Sequence, residues 1–268
     1  RYYIYMTRII AGGCSFTFGN ELSDDVDGKT PSEKSWAYKL SNKISAEYVC
    51  TAFGGLGNQA IARRVFQNIS KNLPVDGVVV MWSFLSRYDW AMPRHRALED
   101  TRWTSISPWD TNAGNDEAFH TLQGSETQQQ QWRTRQETMQ DTGVRQFAES
   151  VYKYAANEYH ETYLSWKSII WLQNILEKKK IPYMFTLADN SLFYNNLEEH
   201  SGQDRFMYDL HGEIDLSKWF FFGERCMGFN QWALLNDYER GTTHPLDKAH
   251  EDAVQLMLPT FDKLIGGR

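Results

Sequence analysis

Short unbroken apolar runs alternate along this chain with longer stretches that are apolar on one helical face only. The runs are Ile4 to Ala11, Tyr48 to Phe53, Val78 to Trp82 and Tyr183 to Leu187. Continuous apolar character over so few residues predicts strands covered on both faces, as in a parallel sheet. The first helical stretch carries Trp36, Ala37, Leu40 and Ile44 behind Thr30-Pro31-Ser32-Glu33, a capping box with proline at the first helical position. Ile61, Val65, Ile69 and Leu73 form a second stripe. Tyr163 to Lys178 predicts a third helix, ending in a basic cluster that suits a helix C-terminus. Ala253, Val254, Met257, Phe261 and Leu264 predict the last one. Strand–helix alternation of this kind specifies a doubly wound α/β sheet.

Two segments break the alternation. Residues 91–147 are polar, run through glutamine from Gln128 to Gln131, and carry Trp103, Trp109 and Trp132. They read as an insertion or lid over the carboxyl ends of the strands within one domain spanning 1–268; a mobile surface loop is the other reading. Residues 205–240 are rich in aromatics, with Trp219, Phe220, Phe221, Phe222, Phe229 and Trp232. They predict an irregular segment packed on the core ahead of the last helix.

Composition narrows the function. The chain has 268 residues, 41% hydrophobic and 15% aromatic, ample for one core. A net charge of -6 argues against a nucleic-acid partner held through phosphates. No run is long enough to span a membrane and no signal peptide is evident, so a soluble protein made in the cytoplasm is expected. The three cysteines, Cys14, Cys50 and Cys226, are sparse and widely spaced, which fits reduced thiols rather than disulfides or a zinc site. No metal or cofactor is expected.

The candidate chemistry lies where the strands end, since open α/β sheets bind ligands at the carboxyl ends of their strands. The first run leads into Gly12-Gly13-Cys14-Ser15, the second into Gly54-Gly55-Leu56-Gly57-Asn58, the third into Trp82-Ser83, and the fourth into Asp189-Asn190. A serine on a sharp turn after a strand suits a nucleophile, although helix caps and turns use serine too. His244-Pro245 reads as the opening of the last helix, and a histidine there suits the base for Ser15. The glycines at these turns let backbone N–H groups approach a ligand closely, as a developing oxyanion needs. Asn58 either points its amide at that oxyanion or caps the helix that follows. His250, in phase with Val254, Met257 and Phe261, reads as a buried structural histidine.

Gly13-Cys14-Ser15, Gly55 and His244-Pro245, in that order, resemble the motif blocks of the SGNH (GDSL-like) hydrolase superfamily. The Gly-Cys-Ser-Phe-Thr-Phe-Gly form, Gly-Gly-Leu-Gly-Asn, and a late run through Ile214-Asp215-Leu216, Gly228-Phe229, Trp232 and His244-Pro245 are similar to SGNH-like proteins of tailed phages. The resemblance implies a flavodoxin-like three-layer sandwich with a central parallel sheet, a metal-free Ser-His(-Asp) site, and ester or acetyl-ester hydrolysis. By position it makes Ser15 nucleophile and first oxyanion donor, Gly55 the second donor and His244 the base. Three positions depart from it. Cys14 stands where aspartate is usual. Met81-Trp82-Ser83-Phe84 replaces the third-block Gly-x-Asn. Gly241 replaces the aspartate three residues before the histidine, which leaves Asp237, Asp247 or Asp189 to orient His244, with Asp237 nearest upstream, or a dyad.

The expected function is therefore a serine esterase that removes small acyl groups, acetyl from a carbohydrate among them. Its partner would be a small acyl ester or acylated carbohydrate, with a phage particle as one place for it. The alternative is a non-catalytic SGNH-fold module, carbohydrate-binding or structural in a virion.

Overall fold

The structure is a computed structural model describing residues 7–93, 102–111, 126–193 and 205–266, apart from the side chains of 126–128 and 131–132. Its centre is a four-stranded sheet in the order β2-β1-β3-β6, all parallel, formed by β1 (Arg8–Gly12), β2 (Glu47–Cys50), β3 (Gly77–Trp82) and β6 (Tyr183–Leu187). Every residue of β3 and β6 is buried, as their unbroken apolar runs require. The register sets Ile10 beside Val49 and Val78, and Val80 beside Phe185.

Helices cover both faces. On one side lie α3 (Asn58–Lys71) and α6 (Glu158–Lys178), which bury Ile61, Val65, Ile69, Trp166, Ile169, Leu172 and Leu176 against the sheet. Fully burying one such aliphatic side chain is worth about 1.5–3 kcal/mol, so this stripe is a main contribution to docking α3 on the sheet. On the other side lie α2 (Trp36–Lys43), α8 (Phe229–Leu235) and α9 (Asp247–Phe261), through Trp36, Leu40, Phe229, Val254, Met257 and Phe261. The result is the doubly wound α/β sheet that the alternation predicts, in the three layers that the resemblance implies. Because β2 and β3 flank β1 on opposite sides, the chain reverses its direction across the sheet at β1. A crevice at the carboxyl ends is expected there.

Between β3 and α6 the described residues form a ribbon and two helices. Strands β4 (Tyr88–Ala91) and β5 (Trp103–Ile106) pair antiparallel. Helices α4 (Glu126–Asp141) and α5 (Val144–Tyr154) pack on them, burying Tyr88, Met92, Ile106, Met139, Val144, Ala148 and Val151 in a small core of their own. Arg63 of α3 grips Asp89 through two bonds of 2.8 and 3.1 Å, and Tyr88 donates to Glu161 at 2.9 Å. Both tie this ribbon to the body. Trp103 stacks under Arg63, and Trp90 and Trp109 are exposed. The side chain of Trp132 lies outside the described residues, as do those of Gln128 and Gln131.

Local details differ from the sequence reading for identifiable reasons. The described part of the first strand starts at Arg8; the earlier residues of that run, Ile4 to Met6, lie outside the description. The second strand stops at Cys50 because the chain turns away into its glycines. The capping box does not cap: Asp24 accepts from Ser32 Oγ–H and from Glu33 N–H, drawing both into a turn. α2 instead begins at Trp36, and Ser35 accepts the Tyr38 N–H. α3 ends at Lys71, so Leu73 falls beyond the stripe and is exposed. The segment 205–240 is not wholly irregular, for it contains α7 (Arg205–Gly212) and α8, although Trp219, Phe222, Phe229 and Trp232 do pack into the core. His244-Pro245 does not open the last helix. Arg240 and Pro245 form a β-bridge, Leu246 is extended, and α9 begins only at Asp247.

Candidate functional site

The turn that carries Ser15 follows from small residues placed where the backbone crowds. A Cβ at Gly13 would lie 2.0 Å from Thr17 Oγ1 and 3.2 Å from the Met81 carbonyl oxygen, so only glycine lets the chain turn this tightly off β1. Cys14, buried among core residues, precedes the short helix α1 (Ser15–Phe18). Ser15 is the first residue of that helix, where backbone N–H groups have no intrahelical acceptor. Its side chain is nearly buried.

Ser15 Oγ lies 2.7 Å from His244 Nε2. These residues stand at opposite ends of the sequence, and the fold brings them into hydrogen-bond contact. The Phe16 ring packs edge-on against the imidazole at 4.8 Å and restricts its rotation. The loop behind His244 is pinned as well: Gly241 N–H donates to the His244 carbonyl at 3.0 Å, and Arg240 donates to Thr243 O and, at 2.9 Å, to Asn230 Oδ1.

The acid at His244 is Glu21. Its Oε2 lies 2.7 Å from His244 Nδ1 and also accepts the backbone N–H groups of Thr243 at 3.2 Å and His244 at 3.1 Å. Its Oε1 accepts from Thr242 N–H at 2.9 Å. Three consecutive amides and one imidazole thus converge on a single carboxylate. Burial opposes its ionisation, but the His244 hydrogen bond and charge, with the Thr243 and Thr242 bonds, outweigh that and hold its pKa at about 2. An ionised carboxylate only accepts, so Nδ1 carries the proton. Nε2 then faces Ser15 with a lone pair, and the serine hydroxyl donates to it.

Gly241 explains why Glu21 can be there. A Cβ at position 241 would sit 2.8 Å from Glu21 Oε2 and 2.9 Å from its Cδ. The space where a side chain at 241 would begin is filled by an acid arriving from the other end of the chain. Glu21 itself adopts φ +68, unusual for a non-glycine residue, with its own N–H bonded to Asp25 at 2.9 Å.

Asp237 is therefore not the orienting acid. It is exposed, at φ +53, in the turn that ends α8, where its N–H bonds the Leu234 carbonyl. Asp247 is taken by Ser23 and Lys34, and Asp189 by Ser191 N–H and Gln231. Two features of the sequence could have pointed to Glu21: an acid-rich segment, Glu21 to Asp27, soon after the Ser15 turn, and the missing side chain at 241.

Asn58 is committed elsewhere. It is buried as the first residue of α3; its amide N–H groups donate to the Ser83 carbonyl at 3.1 Å and to Ser165 Oγ at 3.0 Å, and its Oδ1 accepts Ser83 N–H at 2.7 Å. It neither caps the helix, a place held by Gly57, nor has a free N–H for an oxyanion. Gly55 occupies the turn after β2 at φ +81, which favours glycine. That turn borders α1: Phe53 N–H reaches the Gly13 carbonyl at 3.4 Å, and the Phe53 ring packs on Phe18 at 5.6 Å. Among the described residues no acceptor takes the Gly55 N–H. His250 is fully buried, accepts the Trp36 N–H on Nδ1 at 3.1 Å, and has its pKa lowered to about 3, chiefly by burial. Among the described residues no group of three or more His, Cys, Asp or Glu side chains could hold a metal ion, and no helix is long and apolar enough to cross a membrane.

No protein-family model matches the chain, and no curated protein matches it. Solved structures with a similar fold include an acetyl xylan esterase from the rumen bacterium Butyrivibrio proteoclasticus, at TM-score 0.46 and 11% identity over 98% of this chain. This chain spans only 65% of that protein's length. A putative lipolytic protein of the G-D-S-L family from Desulfitobacterium hafniense has TM-score 0.46 and 11% identity over 95% of this chain and 99% of its own. An extracellular lipase from Streptomyces rimosus has TM-score 0.39 and 12% identity over 96% and 99%.

Proposed function

We propose that this chain is a serine ester hydrolase that removes small acyl groups, acetyl on a carbohydrate among them, from a single domain with an insertion. The observation that carries the reading is the continuous line Ser15 Oγ, His244 Nε2, His244 Nδ1, Glu21 Oε2, with 2.7 Å at each hydrogen bond. A nucleophile within reach of a base, itself oriented by a third group, is the arrangement that acyl transfer requires.

In this reading Ser15 Oγ attacks the ester carbonyl while its proton passes to His244 Nε2. The resulting oxyanion takes hydrogen bonds from the N–H groups of Ser15 and Gly55. His244 gives the proton to the departing alcohol, leaving Ser15 acylated. Water then attacks the acyl carbon as Nε2 accepts its proton. Collapse of the second intermediate releases the acid and returns the proton to Ser15. Glu21 stays ionised throughout, holding the imidazole and stabilising it while it is protonated.

One observation favours a second reading, a non-catalytic module that binds carbohydrate or serves in a virion. The end of β3 offers Ser83 and Phe84, and neither presents the amide that the resemblance calls for. A fluorophosphonate probe and a short activated acyl ester separate the two. An esterase is labelled and turns over, and Ser15→Ala loses both while keeping its fold. Absent labelling in a protein that still binds sugar supports the module. Cys14→Ala is the control for a misassigned nucleophile, and it is expected to label like the parent because Cys14 is buried.

A further inference from the structure

The turn that carries Gly55 is weakly closed by its own backbone. Gly54 and Gly55 occupy its centre, and the bond across it, from Leu56 N–H to the Phe53 carbonyl, is 3.5 Å long. Two adjacent glycines have the widest conformational freedom of any pair, so a turn this loosely closed does not by itself fix where an N–H points. The structure supplies an external anchor. Arg87 Nη1 donates to the Leu56 carbonyl, the last residue of that turn, at 3.2 Å, and to Ser83 Oγ at 2.9 Å. Its guanidinium lies over the Phe84 ring at 4.8 Å; Phe84 packs on Phe16 at 5.9 Å, and Phe16 packs on His244.

The remaining residues of the Gly-Leu-Gly-Asn stretch serve the same junction. A Cβ on Gly57 would lie 2.7 Å from the Arg87 carbonyl oxygen and 2.8 Å from Arg87 Cβ, so glycine is needed for the two loops to touch. Asn58 brackets the Ser83 peptide from both sides. Among the described residues no carboxylate forms an ion pair with Arg87, whereas Arg63 takes Asp89. Its charge is not spent on an acid, and its rigid fork is used for geometry.

We propose that Arg87 is a positioning residue: it latches the loop after β2 to the loop after β3 and so fixes the Gly55 N–H for the developing oxyanion. The latch stiffens a donor that is already present. The inference rests on the esterase reading and on Gly55 as a donor.

The test compares Arg87→Met, Arg87→Lys and Arg63→Met with the parent on a short activated acetyl ester, with thermal melts alongside. Deleting one oxyanion donor costs roughly 100- to 1000-fold in kcat, so loosening one is expected to cost about 10- to 100-fold, with KM within about threefold. Arg87→Lys, which keeps a donor to Leu56 O, should recover part of that loss and covers the case in which Arg87→Met does not fold. Arg63→Met removes a buried ion pair nearby and should lower the melting temperature while leaving kcat within about twofold of the parent, which separates positioning from general loss of stability. Unchanged kcat in both Arg87 variants overturns the proposal. So do equal kcat losses in Arg63→Met and Arg87→Met. A rise in KM with kcat intact also overturns it, because Arg87 would then be touching substrate. A parent protein that is neither labelled nor active removes the esterase reading and the latch together; an active parent with indifferent Arg87 variants removes the latch alone.

Discussion

Adding one methyl group, Gly241→Ala, tests how Glu21 came to its place. The new Cβ would lie 2.8 Å from Glu21 Oε2, 2.9 Å from Cδ and 3.2 Å from Cβ. Relaxed contacts to carbon begin near roughly 3.5 Å, so the carboxylate must retreat by about 0.7 Å. A glutamate tip elsewhere would move at little cost. Here it accepts from Thr242 N–H, Thr243 N–H, His244 N–H and His244 Nδ1, and a retreat stretches several of these at once. Added to the 2.7 Å separation from Nδ1, such a shift gives about 3.4 Å, past the range of a good N–H···O bond. Hydrogen bonds to charged groups are worth about 1.5–3 kcal/mol, and partial rearrangement leaves an expected stability loss of about 1–3 kcal/mol. The fold should survive. The catalytic effect should be larger, because an imidazole without its acid loses both tautomer and orientation: about 100- to 1000-fold in kcat, approaching the roughly 10⁴-fold known for neutralising a triad acid. The assay measures kcat and urea midpoints for Gly241→Ala, Glu21→Gln and the double variant. Since both changes act through one contact, the double should be no worse in kcat than Glu21→Gln alone. Full activity in Gly241→Ala, or losses that simply add, would refute the reasoning.

Other outcomes follow from the same geometry. Asp237→Asn should leave kcat and KM unchanged, because this exposed acid makes no bond to His244; a large loss would return it to the site. Asn58→Ala should cost roughly 2–4 kcal/mol in a denaturant melt, because it strands the buried N–H and carbonyl of Ser83; a loss below about 0.5 kcal/mol would mean water replaces the amide. Acid unfolding should depend on Glu21: its carboxyl is held at about 2 against an ordinary 4.5, so its stabilisation is complete above pH 4.5 and fades as pH falls towards 2. Stability of Glu21→Gln should fall less steeply than the parent across that window, and identical slopes would contradict it.

The chain's own pattern determined the scaffold. The run from Tyr183 to Leu187 became a strand with those bounds, and Ile61, Val65 and Ile69 became the buried stripe of α3, because burial of periodic apolar residues is a local instruction. The tight turn at Ser15 was also legible, since glycines after a strand set one up wherever the rest of the chain goes. The acid at His244 and the partners of Asn58 were not legible. Glu21 lies 223 residues from His244 in sequence and no spacing links them; it reaches the imidazole only because the loop after α1 and the loop before α9 meet at the sheet edge, with no side chain at Gly241 in the way. Asn58 had two plausible local roles and took neither, because the nearest unsatisfied groups once the helix docked were the backbone of Ser83 and the hydroxyl of Ser165. Short-range signals such as caps and periodicity are properties of a segment. A carboxylate's choice of hydrogen-bond donors is decided by which loops the folded sheet brings within 3 Å or so of one another, and only the tertiary structure contains that information.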